Sequence, residues 1–265
     1  MKTIVFVALL LLGLTFSCSN GQGKEEIKET ANFEIQKAPA EATEAFDASS
    51  TDSSDNQEIF FNDNELINVE DTLVYKGYLF ASYPIPDTVK ARMQGKSMKD
   101  KARISLDQLR YLTLSYYDFD SLVQKGELVC NQSIAHDLLC VFRDLFAEQY
   151  PIFSIRLVDD FDADDEASMQ ANNTSCFNYR TIAGTNILSQ HAFGMAVDIN
   201  PLQNPCIRGS RIQPKTATDY VDRTKDFPHK IDEDDFCKQT FTSYGFHWGG
   251  AWKRMKDYQH FEKRK

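Results

Sequence analysis

The pattern of apolar and polar positions changes character near residue 59, from a polar stretch to alternating apolar runs. In "ISLDQLRYLTLSYYDFD", Ser105 is followed three residues later by Gln108, a capping-box spacing that predicts a short helix. "LTLSYYDFD" then reads as a strand. "GELVCNQSIAHDLLCVFRDLFAEQY" predicts a short strand and then a helix from near Ser133. Ile134, Leu138, Val141, Phe142, Leu145 and Phe146 fall on one face of it. Pro151 closes that helix, and "PIFSIRLVDDF" reads as the next strand. "DEDDFCKQTFTSYGF" predicts a helix ended by Gly245 in the left-handed conformation, and "DYQHFEK" a final short strand. These elements predict a single α+β domain over residues 59–265, a small, mostly antiparallel sheet with flanking helices. No internal repeat is visible.

Composition changes the picture mainly at the N-terminus. Lys2 precedes an apolar run from Ile4 to Leu14, too short to span a bilayer, and small or hydroxylated residues lead on to Cys18. Residues 1–18 read as a secretory signal peptide. The segment resembles a bacterial lipoprotein signal, which implies lipidation at Cys18 and a membrane-anchored lipoprotein facing the periplasm or cell wall. Residues 19–58 carry ten acidic residues against three lysines, about -7 of the formal net charge of -10. Such a segment has too few aliphatics to offset its ordering entropy and reads as a disordered tether. The rest is close to charge balance, without the basic stripe of a nucleic-acid partner. Cysteines 130, 140, 176, 206 and 237 remain, an odd number whose pairing the sequence does not give.

Candidate chemistry concentrates in "RTIAGTNILSQHAFGMAVDINPLQNP", which puts His191 and Asp198 seven residues apart among small and apolar residues. A catalytic zinc takes three ligands from His, Asp, Glu and Cys and leaves a fourth position to water. His191, Asp198 and His260 supply such a set, and Asp257 is left over as a general base. On spacing alone His191 and Asp198 also read as a buried hydrogen-bonded pair. An iron(II) facial triad usually spaces its first pair as H-x-D, unlike this chain. His136, His229 and His247 fall in a helix, a charged loop and an aromatic run, where structural roles come first.

Two blocks extend this reading. "SQHAFGMAVDINP" follows S-x-H-x-x-G-x-A-x-D, and "GFHWGGAWKRMKDYQHFE" follows G-[WF]-x-W-G-G-x-W and then D-x-x-H-F. Together they resemble the zinc D-alanyl-D-alanine carboxypeptidase and L-alanyl-D-glutamate endopeptidase family, VanY-like and endolysin-like, from about Met93 to Glu262. The resemblance implies a hedgehog/DD-peptidase-like fold and one zinc ion per chain on His191, Asp198 and His260. It further implies Asp257 as general base, Arg180 at the oxyanion and Ser189 at the substrate, the alternatives being a structural ion pair for Arg180 and a plain turn residue for Ser189. Trp248, beside the Gly-Gly pair, is placed at the substrate as a cleft wall, with core packing as the alternative. The implied activity is hydrolysis of peptidoglycan stem peptides by metal-activated hydroxide. The alternative is a zinc-containing, non-catalytic cell-wall binding module of the same fold. Between the ligands, Gly194 is expected to allow close approach of backbone to metal or substrate.

Overall fold

The computed structural model describes residues 72–264. The signal peptide, Cys18, the acidic tether and the expected domain start at Ile59 lie outside the described residues.

The longest element pair is a hairpin of nine-residue strands, β3 (Leu109–Tyr117) and β4 (Val123–Asn131), following β1 (Thr72–Tyr75), β2 (Tyr78–Tyr83) and helix α1 (Asp87–Met93). The four strands form an antiparallel sheet in the order β1-β2-β3-β4. Asp118 organises the β3–β4 turn, its Oδ1 accepting from the backbone N–H groups of Asp120 and Leu122. The expected capping box is present, around a single 3₁₀ turn at Leu106–Gln108. Helix α2 (Ala135–Ala147) lies on the sheet. Its Leu138, Val141, Phe142, Leu145 and Phe146 are buried with Phe80, Leu112 and Leu128 of the strands. The i, i+3, i+4 stripe of the sequence is therefore the face that meets the core.

The remaining chain is built from much shorter pieces. β5 (Ser154–Ile155) precedes helix α3 (Asp165–Gln170) and pairs in parallel with β6 (Asn173–Thr174). β7 (Ala196–Asp198) is followed by the strands β8 (Cys206–Arg208) and β9 (Arg211–Gln213), then helix α4 (Phe236–Ser243). β10 (His247–Trp248), β11 (Lys256–Asp257) and β12 (His260–Glu262) complete it. They assemble two three-stranded sheets, β10-β12-β7 and β11-β8-β9. Gly245, at φ 81°, ends the turn after α4 as expected.

The described residues are thus α+β, with several small sheets where one was expected. The strand expected through "PIFSIRLVDDF" shrinks to two residues, because Asp159 is drawn inward by Ser97. Its carboxylate accepts from the Ser97 N–H and hydroxyl, and the chain coils into a 3₁₀ turn at Val158–Phe161. The last expected strand breaks in two. The Tyr258 carbonyl accepts from the Trp248 indole and the Gln259 carbonyl from Ile199 N–H, which turns the chain between β11 and β12. None of the five thiols between Cys130 and Cys237 is disulfide-bonded.

Candidate metal centre

β12 is the middle strand of its sheet, and its antiparallel register with β7 sets His260 directly opposite Asp198. Residues facing each other across an antiparallel pair project from the same face, so the two side chains meet. His191 arrives from the 3₁₀ turn Gln190–Phe193, whose start is capped by Ser189 Oγ accepting from the His191 N–H. Gly194 ends the turn at φ 65°. A Cβ there would sit 2.6 Å from the Asn131 backbone nitrogen. The close approach expected at Gly194 is therefore to the end of β4, where the Asn131 N–H donates to the Gly194 carbonyl at 2.8 Å.

The donor atoms of His191, Asp198 and His260 lie within 4.8 Å of one another, and all three residues are buried. His191 Nε2 is 3.2 Å from His260 Nδ1 and 3.2 Å from Asp198 Oδ2, and His260 Nδ1 is 3.0 Å from Asp198 Oδ1. The outer nitrogen of each ring is already engaged. His191 Nδ1 lies 2.6 Å from the Cys176 carbonyl, which can only accept, so this nitrogen carries the proton and Nε2 keeps its lone pair. His260 Nε2 faces Glu262 Oε2 at 3.3 Å. Glu262 in turn accepts from Arg264 Nε at 2.7 Å.

Two ring nitrogens and two carboxylate oxygens therefore converge with their acceptor sides inward, an arrangement that needs a cation or a shared proton at its centre. Carbonyl and carboxylate partners behind the rings are the usual outer shell of metal-bound histidine. The three side chains fit a zinc ion as a His-Asp-His set. The electrostatics agree in direction. Burial works against the charge of Asp198, but the facing His191 and His260 hold its carboxyl far below the ordinary range. Burial likewise opposes a charged His260, yet Asp198 and Glu262 push it up to about 10. The cluster attracts positive charge.

The centre forms part of the lining of a cleft of about 420 Å³ that also receives Asp257, Arg180 and Ser189. Asp257 stands in β11, three residues before His260, with Oδ1 shut away from solvent and without a hydrogen-bond partner. Burial raises its carboxyl to about 6. The Gly-Gly pair of the second block has a steric reason here, since a Cβ on Gly249 would lie 2.7 Å from the Asp257 carbonyl oxygen. Arg180 Nε lies 2.7 Å from Asp165 Oδ1, at the start of α3. The Nε–H is not aligned with that oxygen, so the pair is held by charge more than by a directed hydrogen bond.

One expected substrate residue is not in the cleft. Trp248 is 5% exposed, packs in the core and spends its indole N–H on the Tyr258 carbonyl at 2.8 Å. In β10 it stands opposite the fully buried Phe261 and shares that residue's core face, whereas Trp252, four residues on, lines the cleft and approaches His260 at 5.3 Å between ring centroids. Asp165 and Glu262, the partners of Arg180 and His260, were missed by sequence reasoning. Glu262 had a signal, because H-x-E on a strand places both side chains on one face. Asp165 had none, being joined to Arg180 through irregular chain.

No curated protein and no solved structure matches the chain. Residues 183–263 match the family model described as D-alanyl-D-alanine carboxypeptidase, a span that contains His191, Asp198, Asp257 and His260. The match supports a peptidase that acts on peptidoglycan. Over residues 183–263 the chain is similar to the D-alanyl-D-alanine carboxypeptidases, the family that its two sequence blocks resemble.

Proposed function

We propose that the protein is an exported zinc metallopeptidase that hydrolyses the stem peptides of peptidoglycan. The observation that carries this reading is the convergence of His191, Asp198 and His260 on the cleft wall, with both imidazoles oriented from behind by acceptors. A zinc ion bound there supplies Lewis acidity, which activates water near neutral pH and polarises a peptide carbonyl.

The chain's own residues supply the rest. Asp257, with a buried and unpartnered oxygen beside the ligands, takes the proton from the attacking water and returns it to the leaving amine. Its raised affinity for a proton suits that exchange. Arg180 offers a planar fork of donors to the oxyanion as the carbonyl becomes tetrahedral. Ser189 caps the turn that aims His191 and borders the bound peptide. We read the fold as hedgehog/DD-peptidase-like. Cys18 is taken as the lipidated N-terminus, joined through residues 19–58 to the peptidase domain.

The test is digestion of purified muropeptides by the full chain, with and without chelator, read by mass spectrometry. Loss of a terminal D-Ala, abolished by chelator and restored by zinc, makes it a D,D-carboxypeptidase. Release at L-Ala–D-Glu under the same control makes it an endopeptidase. No cleavage by a folded, zinc-loaded chain contradicts the proposal and favours a binding module.

A further inference from the structure

The β8–β9 hairpin has the sequence Cys206-Ile207-Arg208-Gly209-Ser210-Arg211-Ile212-Gln213, with Cys206 opposite Gln213 and Arg208 opposite Arg211. Opposed residues of an antiparallel pair share a face, and neighbours along a strand alternate faces. Cys206, Arg208, Arg211 and Gln213 accordingly line the cleft, whereas Ile207 and Ile212 do not. The other edge of β8 pairs with β11 and sets Asp257 opposite Cys206. One row across this sheet therefore reads Asp257, Cys206, Gln213, and the next row on the same face reads Arg208, Arg211. The rows are two residues apart along the strand, about 7 Å.

Like charges directly opposite each other on a sheet repel. Both arginines are exposed, and among the described residues neither has a carboxylate within salt-bridge distance. The other two arginines of the cleft differ, because Arg180 faces Asp165 and Arg264 faces Glu262. An opposed, uncompensated arginine pair on a cleft wall is stabilised by an incoming anion, and guanidinium forks match a carboxylate in particular.

We infer that Arg208 and Arg211 form a carboxylate-recognition subsite that selects acidic peptides. The carboxylate it takes lies along the cleft from the hydrolysed bond, beyond the row that carries Asp257. This inference rests on the peptidase reading and narrows it: the subsite prefers stem peptides with free side-chain or α-carboxylates over their carboxamide forms. The register of β11, β8 and β9 fixes the order of base and subsite along the cleft wall.

The experiment uses the full chain carrying Asp257→Asn, so that the probe is not consumed. Calorimetry compares the peptide L-alanyl-γ-D-glutamyl-diaminopimelate with the same peptide in carboxamide form. The free-carboxylate peptide is expected to bind about tenfold more tightly. Arg208→Gln/Arg211→Gln should abolish that preference and leave carboxamide binding within about twofold, and Arg208→Lys/Arg211→Lys should retain part of it. Equal affinity for the two peptides, or a double Gln variant that weakens both alike, would overturn the subsite. Because binding requires no turnover, a chain that discriminates the two peptides while the wild type cleaves neither would refute the peptidase reading alone.

Discussion

The half of the molecule built on α2 and the half that carries the cleft reach their order by different means. The first has nine-residue strands and a thirteen-residue helix whose buried positions are nearly all apolar. The second has strands of two or three residues, held by buried amides. Asn204, for example, is fully buried. Its Nδ2 donates to the Asn200 and His229 carbonyls, and its Oδ1 accepts from the Ile231 N–H. Asn173 does the same between Arg156 and Ser168. Hydrophobic burial is non-directional and tolerates small shifts, whereas a hydrogen bond fixes distance and angle. The cleft half uses the directional kind, and that is the half that must place two imidazoles and a carboxylate within a few ångströms.

The sharpest way to separate the halves is to remove a ligand. Asp198→Ala or His260→Ala should abolish zinc binding and lower hydrolysis by about 1,000-fold or more, with metal content read by atomic absorption. Asp257→Asn should lower kcat by about 10²–10⁴ while zinc content stays at wild-type level. A core change should do the reverse. Leu138→Ala, at a side chain with no exposure, should cost about 3 kcal/mol in urea unfolding and leave kcat per folded molecule unchanged. Should Leu138→Ala instead lower kcat with zinc retained, the halves are coupled and the division drawn between them fails.

The smallest effect concerns the junction of the halves. Burial raises the Asp235 carboxyl to about 6, although it caps α4 through the Cys237 and Lys238 N–H groups and accepts from the Tyr150 hydroxyl. A carboxyl that holds its proton more tightly when folded favours the fold at low pH, and that contribution is lost as pH rises from about 4 to 6. Asp235→Asn keeps the cap and does not titrate. The stability of Asp235→Asn relative to wild type should therefore rise across that window and be flat above it, as followed by thermal unfolding at stepped pH.

What was legible in the sequence divides along the same line. The α2 stripe, the capping box at Ser105 and the Gly245 turn follow from local periodicity, and the structure has all three. His191, Asp198 and His260 were legible as a set because two dense blocks carry them, and β7 and β12 bring those blocks together. Trp248 was misplaced because a two-residue strand gives no period from which to read a face. Asp165 was silent because its partnership with Arg180 is made by irregular chain that no periodicity describes. The alternation I-R-G-S-R-I of the β8–β9 hairpin was in plain view, but its meaning depends on the strand beside it.

The central claim, that the converging side chains form a zinc centre, is tested most directly by titrating zinc into the metal-free chain. Wild type should bind one ion tightly, and His260→Ala, shown folded by circular dichroism, should not. Equal zinc binding by the two chains, or none by a folded wild type, would contradict the account.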